Sequence, residues 1–388
     1  MKYVVVGCGI SGAVFARILA EAGCQVEIWE RRNHIAGNMH DYIDNHGILV
    51  HQYGPHIFHT SNEKVWKFVS RFEEWKPFKL VCGASWDGKY TPTAFNFTTI
   101  DVFYPEEQAN RLKKKLLDAY PGKDSATVVE VLQNEDPDIK GFAEFLFQND
   151  YAPYTAKQWG VSAAEIDPSV LKRVPIRFSY EEAYFNDTYE AMPVHSYTEM
   201  FENMLNHPNI SVKLSVEAKE KIILDSDEIK CKDISEKVKF VYTGALDELF
   251  DSKYGELPYR SLRFDWMYED IDSLQEAPVV AYPKAKGYTR ITEYKKLPVQ
   301  NVKGTSYAIE YPLPYKSGQK NEPYYPVLTD DSALRYQKYE KQAQKIGNLI
   351  CCGRLANFKY YNMDQAINEA INIAEKEVKA INAHKKID

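Results

Sequence analysis

No stretch of this chain approaches the roughly 18 consecutive apolar residues that a membrane-crossing helix needs, so membrane insertion is not expected. Cysteine is scarce: Cys8, Cys24, Cys82, Cys231, Cys351 and Cys352 form no C-x-x-C pair and no Cys/His cluster with zinc-ligand spacing. They are expected to be reduced, buried and structural, which leaves out a disulfide scaffold and a metal site. A basic stripe is missing too. The formal charge is −7 at pH 7 with acidic and basic residues interleaved, so a nucleic-acid partner is not expected. Internal repeats and low-complexity linkers are absent. The N-terminus passes from Met1-Lys2 directly into a strand-like segment, which leaves no room for a signal peptide and implies a cytoplasmic location.

What is present is ordinary globular material. The 388 residues are 44% hydrophobic and 27% charged, enough for one large core or two to three cooperating lobes. Aromatic residues make up 13%, and 15 of the 28 tyrosines fall within residues 151–197 and 307–361. Most would fill cores, but a tyrosine offers both a stacking face and a hydroxyl, so two dense clusters also suggest a ligand pocket.

The hydrophobic pattern predicts a buried strand over 2–6, a helix over 10–22 and a second strand over 25–30, a βαβ opening. Residues 105–120, followed by apolar-periodic segments near 126–133 and 139–150, predict a helical insertion. A helix from 197, a strand over 238–242, a short strand over 348–352 and a helix from about 364 return the chain to the first body. Between them, β-rich runs over 260–264, 279–282 and 306–311, broken by Pro and Gly, predict an antiparallel sheet. The expected fold is α/β: a discontinuous Rossmann-like FAD-binding domain (1–75, 190–255 and 340–388), a helical lobe (98–185) and an antiparallel sheet lobe (76–97 and 256–339).

Gly7-Cys8-Gly9-Ile10-Ser11-Gly12 follows the first strand and opens the first helix, with Glu30 ending the second strand. Gly7 suits the tight turn, Gly9 leaves room for a pyrophosphate against the backbone, and Gly12 lets helix and strand pack closely. The helix N-terminus attracts phosphate charge, and Glu30 can accept from a ribose hydroxyl. The turn alone does not separate NAD from FAD. Arg31-Arg32 and the Gly37 turn directly after Glu30, and Gly353-Arg354 leading to a helix start at Met363-Asp364, favour FAD. Such a helix end can stabilise negative charge on a reduced flavin ring.

With those residues stand Tyr53-Gly54-Pro55-His56-Ile57-Phe58-His59-Thr60, Tyr154-Thr155-Ala156-Lys157-Gln158-Trp159-Gly160, Leu171-Lys172-Arg173-Val174-Pro175-Ile176-Arg177-Phe178, Tyr288-Thr289-Arg290-Ile291-Thr292-Glu293 and Glu322-Pro323-Tyr324-Tyr325-Pro326. Through these stretches, nearly end to end, the chain resembles the UDP-galactopyranose mutase family of flavoenzymes. The resemblance implies FAD that is active when reduced, an external reductant such as NAD(P)H, a nucleotide-sugar substrate and a homodimer. It also implies interconversion of pyranose and furanose rings through a flavin N5-sugar adduct, without net redox, in the service of cell-surface polysaccharide such as O antigen. The cofactor supplies the nucleophile, so the lack of a Ser/His/Asp or Cys/His set is no obstacle.

Roles carried over by the resemblance fall into three groups. Arg173 and Arg290 would hold the diphosphate, for which a guanidinium fork is suited, and Tyr184, Tyr311 and Tyr360 would donate to phosphate and sugar, with His59 nearby. Tyr154, Thr155 and Trp159 would form the nucleotide platform, and Leu80 and Tyr324 would complete the substrate wall. Gly7, Gly9, Ile10, Ser11, Gly12, Glu30, Arg31, Asn38, His56, Ile57, Arg354, Met363 and Asp364 would bind the cofactor.

The chain departs from the family at several points. Leu80 stands where an asparagine or histidine is common, and a leucine can pack against a methyl but cannot bond a hydroxyl. That fits a 6-deoxy sugar such as fucose. Val279-Val280-Ala281-Tyr282-Pro283 lacks an asparagine that helps hold uracil, and Asp150-Tyr151 replaces an aromatic pair, so the base pocket is altered in a way a dTDP-sugar would require. Asn362 replaces an aspartate and Ala36 a glycine. UDP-galactose and dTDP-fucose both remain open as substrates, and a flavin oxidoreductase of the amine-oxidase type is the competing class.

Overall fold

The computed structural model describes residues 2–160, 174–233, 236–317 and 321–384; Arg173 and the side chain of Trp159 lie outside the described residues. Five strands form one wholly parallel sheet in the order Ile210–Lys213, Gln25–Trp29, Lys2–Val6, Val238–Tyr242 and Leu349–Cys351. Val4 and Val5 are fully buried, as expected for strands covered on both faces. The helix Ile10–Glu21 follows the first strand, and the long helix Met363–His384 packs along it. Between these helices and the sheet lies the largest core, centred on residues such as Phe15, Leu19, Phe201 and Ile371. Because the strands are parallel, the turns at Gly7, Glu30, Thr243 and Gly353 all gather at their carboxyl ends, where open α/β sheets bind ligands.

A second core belongs to the helices Phe97–Phe103, Glu106–Ala119, Val128–Leu132 and Pro137–Leu146, joined by Ile176 and Phe178. Local chemistry explains their starts. Asn96 and Thr127 form reciprocal capping boxes, and Asp136 caps a helix whose first residue is Pro137. A π-helical turn, Phe147–Tyr151, then re-phases the chain into the helix Ala152–Trp159.

The remaining sheet has seven strands, in the order Tyr325–Pro326, Tyr259–Glu269, Thr305–Pro314, Arg290–Glu293, Val279–Ala281, Cys82–Trp86 and Lys89–Thr93. It departs from the expected antiparallel sheet at one junction, where Val279–Ala281 runs parallel to Cys82–Trp86. The two strands are far apart in sequence, so no hairpin turn dictates their direction. Three further elements, Phe58–Thr60, Tyr189–Pro193 and Trp75–Pro77, form a small sheet whose Phe58 and Met192 join the first core.

No helix among the described residues is long and apolar enough to cross a membrane. The cysteines are free, and Cys8, Cys24, Cys82 and Cys352 are buried as expected. Cys231 and Cys351 are only half-buried, the first lying on the short hairpin Ile222–Leu224 with Ile229–Cys231.

Candidate active site

At the carboxyl ends of the parallel strands lies a cavity of 240 Å³, lined by Gly7, Gly9, Ile10, Ser11, Gly12, Glu30, Arg31, Asn38, His56, Arg354 and Met363 among others. The glycines here answer to geometry. A Cβ on Gly12 would sit 2.1 Å from the Gly7 carbonyl oxygen, whereas one on Gly9 would meet nothing closer than the Gly37 Cα at 3.9 Å. Gly12 is therefore needed for helix-to-strand packing, while the space beside Gly9 is left for a ligand. Gly7 has φ +102°, a left-handed conformation that a side chain would strain. Ala36 replaces a glycine yet also sits left-handed, at φ 72°, fully buried beneath this cavity.

Glu30 is held by the turn it serves. One carboxylate oxygen accepts the Cys8 N–H at 2.8 Å and the other the Arg32 N–H at 2.9 Å. Each oxygen keeps a second lone pair for a ligand hydroxyl. Arg31 pairs with Glu322 and Glu248, and Arg32 bonds Asn38 at 2.9 Å and lies over the Tyr53 ring. The cradle of unblocked glycines, a helix N-terminus and an oriented carboxylate fits the pyrophosphate and ribose of a dinucleotide.

A second cavity, of 310 Å³, opens beside the first, and both are lined by Asn38, His56, Tyr324, Arg354, Asn362 and Met363. The helix starting at Met363 therefore points its positive end at the junction. Ile57, His59, Leu80, Asp150, Tyr154, Tyr184, Arg290, Tyr325 and Tyr360 line the second cavity. Arg290 projects from the sheet toward Glu310 on the neighbouring strand, with Nε and Nη2 reaching Oε2 at 2.8 and 2.7 Å. The Glu310 carboxylate keeps that guanidinium charged against the cost of burial. Arg354 donates to the carbonyls of Tyr324 and Tyr361 and lies over the rings of Tyr325 and Tyr360.

Two histidines face this space. His56 Nδ1 lies 2.8 Å from the Gly54 carbonyl, which can only accept, so Nδ1 carries the proton. Burial pushes this imidazole down to about 3, leaving it neutral with Nε2 unprotonated. His59 stacks on Phe185 at 3.7 Å and directs Nδ1 to Asp187 at 2.7 Å.

Three expected site residues lie elsewhere. Tyr311 does not line the cavity: successive strand residues point to opposite faces, and Glu310 takes the Arg290 side, so Tyr311 turns outward under Arg263 at 4.0 Å. Thr155 is buried one helical position past Tyr154, away from the cavity. Asp364 turns from both cavities toward Thr60, whose hydroxyl donates to it at 3.2 Å. Arg173 and the side chain of Trp159 lie outside the described residues. Tyr325, which lines the second cavity, and Glu310 and Asp187, which hold Arg290 and His59, were not among the expected residues. Glu310 is one of many strand glutamates in sequence and is marked only by its pairing with Arg290.

These features define a Rossmann-like, dinucleotide-binding protein with an adjoining cavity. Residues 5–72 match the NAD(P)-binding Rossmann-like domain, and residues 149–360 match UDP-galactopyranose mutase. The dTDP-fucopyranose mutase of Escherichia coli is 36% identical over 382 residues, covering 97% of this chain and 98% of that protein. A probable UDP-galactopyranose mutase of Klebsiella pneumoniae is 34% identical, covering 96% and 93%. The chain belongs to the UDP-galactopyranose mutase family, and like its relatives it is an isomerase. A solved reduced UDP-galactopyranose mutase shares the fold with a TM-score of 0.67 over 98% of this chain and 94% of that one, at 13% identity. A putrescine oxidase variant shares it at 0.53, over 98% of this chain and all of that one, at 11% identity.

Proposed function

We propose that this chain is an FAD-dependent mutase that interconverts the pyranose and furanose forms of a nucleotide-activated, galacto-configured sugar. The observation that carries this reading is the continuity of the two cavities, whose shared wall runs from Asn38 to Met363 with Arg290 set in the second. In this reading the discontinuous body expected from sequence would bind the cofactor and the two lobes would close the substrate side.

Gly7 to Gly12 and Glu30 would hold the dinucleotide, and the helix end at Met363 would face its ring system. Bound and reduced, the flavin supplies a nucleophilic nitrogen. Arg290, fixed by Glu310, holds the substrate diphosphate while it is detached from the sugar and keeps it in place for recapture. Tyr184 and Tyr360 bring hydroxyls to the same space, and His56 presents Nε2 as an acceptor for a hydroxyl or N–H. The aromatic walls exclude water, which would otherwise capture the activated sugar. Leu80, 3% exposed and packed with Ile57, Cys82 and Val279, supports a 6-deoxy sugar of the dTDP-fucose type over UDP-galactose.

Incubating dithionite-reduced protein separately with dTDP-fucopyranose and UDP-galactopyranose, then separating products by chromatography, tests this. A furanose product is expected, formed faster from dTDP-fucopyranose than from UDP-galactopyranose; no preference for fucose would overturn the Leu80 reading. Oxidation of the sugar with oxygen consumption would instead place the chain with the oxidases that share its fold.

A further inference from the structure

Asp150 is a carboxyl in an unusual position. It lies in the π-helical turn Phe147–Tyr151, is 8% exposed, and lines the second cavity beside Tyr154, one helical turn further on. Among the described residues its carboxyl group makes no hydrogen bond, and its electrostatic neighbour is Lys157. The Lys157 ammonium donates instead to the carbonyls of Tyr282, Ala285 and Tyr288 at 2.7, 2.9 and 2.7 Å. A buried polar group without a partner costs stability and marks a place where a ligand completes the bonding.

Its location identifies which part of the ligand. The residues shared with the dinucleotide cavity form the end where the sugar would react, and Arg290 suits the diphosphate. Asp150 belongs to the wall contributed by the helical lobe and is absent from that shared set. The part of a nucleotide sugar left for it is the base.

We infer that Asp150 reads the imide edge of a pyrimidine base, accepting its N3–H and donating to the neighbouring carbonyl. This inference rests on the nucleotide-sugar reading above. Uracil and thymine both present carbonyl, N–H, carbonyl in sequence, and an un-ionised carboxyl complements two adjacent groups of that edge. An ionised carboxylate could accept the N–H but would face carbonyl oxygens with no proton to give. Guanine presents two adjacent donors and would select the ionised form instead. Burial pushes the Asp150 carboxyl up to about 7, which favours the un-ionised form below neutrality. Among the described residues, the groups that share its cavity or act on it are Lys157, the phenols of Tyr151, Tyr154 and Tyr184, the Cys82 thiol, and Arg290, whose charge Glu310 balances.

Calorimetric titration of wild type, Asp150→Asn and Asp150→Ala with UDP, dTDP, N3-methyl-UDP and GDP tests it, at about pH 6 and about pH 8.5. Wild type should bind UDP and dTDP about 10- to 100-fold more tightly than N3-methyl-UDP, and more weakly at the higher pH. Asp150→Asn keeps one donor and one acceptor in the same place, so it should retain affinity and lose the pH dependence. Asp150→Ala should bind UDP and N3-methyl-UDP alike. Equal wild-type binding of UDP and its N3-methyl form, or tighter binding of GDP than UDP, would overturn the inference and leave the mutase reading standing. Failure of wild type to bind any nucleoside diphosphate would overturn both.

Discussion

Arg290 and Glu310 face each other across neighbouring strands, and the carboxylate is the more deeply buried partner, its side chain 2% exposed against 24% for the arginine. Removing the carboxylate leaves a guanidinium without its counter-charge. Glu310→Ala is therefore expected to destabilise the protein by about 3 kcal/mol, the lower part of the range for broken buried pairs because Arg290 is partly open to solvent. Urea unfolding checks this. Arg290→Lys keeps the charge but loses the fork, and kcat/KM should fall by about 10- to 100-fold.

Gly9 and Gly12 should fail in different ways. Gly12→Ala forces a Cβ to 2.1 Å from a backbone oxygen and should lower the melting temperature sharply or prevent folding. Gly9→Ala meets no protein atom within 3.9 Å, so it should fold with near-normal melting and purify without flavin absorbance.

The raised Asp150 carboxyl also makes a stability prediction. The folded state retains a proton that the unfolded chain releases above about pH 4, so this residue's contribution is fully present below that value and is lost as pH rises through about 7. Asp150→Asn has no such loss. In the absence of ligand it should be more stable than wild type by about 1 to 3 kcal/mol at about pH 8, and the gap should narrow as pH falls and close only near about pH 4. Thermal melts across that range measure it.

Lys157 ties the helix Ala152–Trp159 to three carbonyls between residues 282 and 288. Burial pushes its ammonium down to about 8. Lys157→Met should free those carbonyls and raise amide exchange in residues 283–289 by about tenfold or more, while the parallel sheet keeps its protection.

Much of this was readable in the sequence where one rule dominates. The Gly7–Gly12 turn, the buried strand over 2–6 and the strand over 238–242 follow from spacing and apolar run, and Arg290 from its motif. What escaped depended on phase. Positions 310 and 311 face opposite sides of their strand, and only the pairing of 290 with 310 decides which side meets the cavity. The π-helical turn at 147–151 re-phases the following helix, so Asp150 and Tyr154 share the cavity face and Thr155 does not. Asp364 sits at the expected helix start, but its rotamer is set by Thr60, some three hundred residues earlier in the chain.

The central claim is ring interconversion driven by a reduced flavin without net redox. Proton NMR of dTDP-fucopyranose with the protein, first oxidised and then dithionite-reduced under anaerobic conditions, tests it most directly. The account predicts furanose anomeric signals only after reduction, with the flavin spectrum still that of the reduced form when equilibrium is reached. Furanose formation by the oxidised protein at the same rate, or conversion of the sugar to an oxidised product, would contradict it.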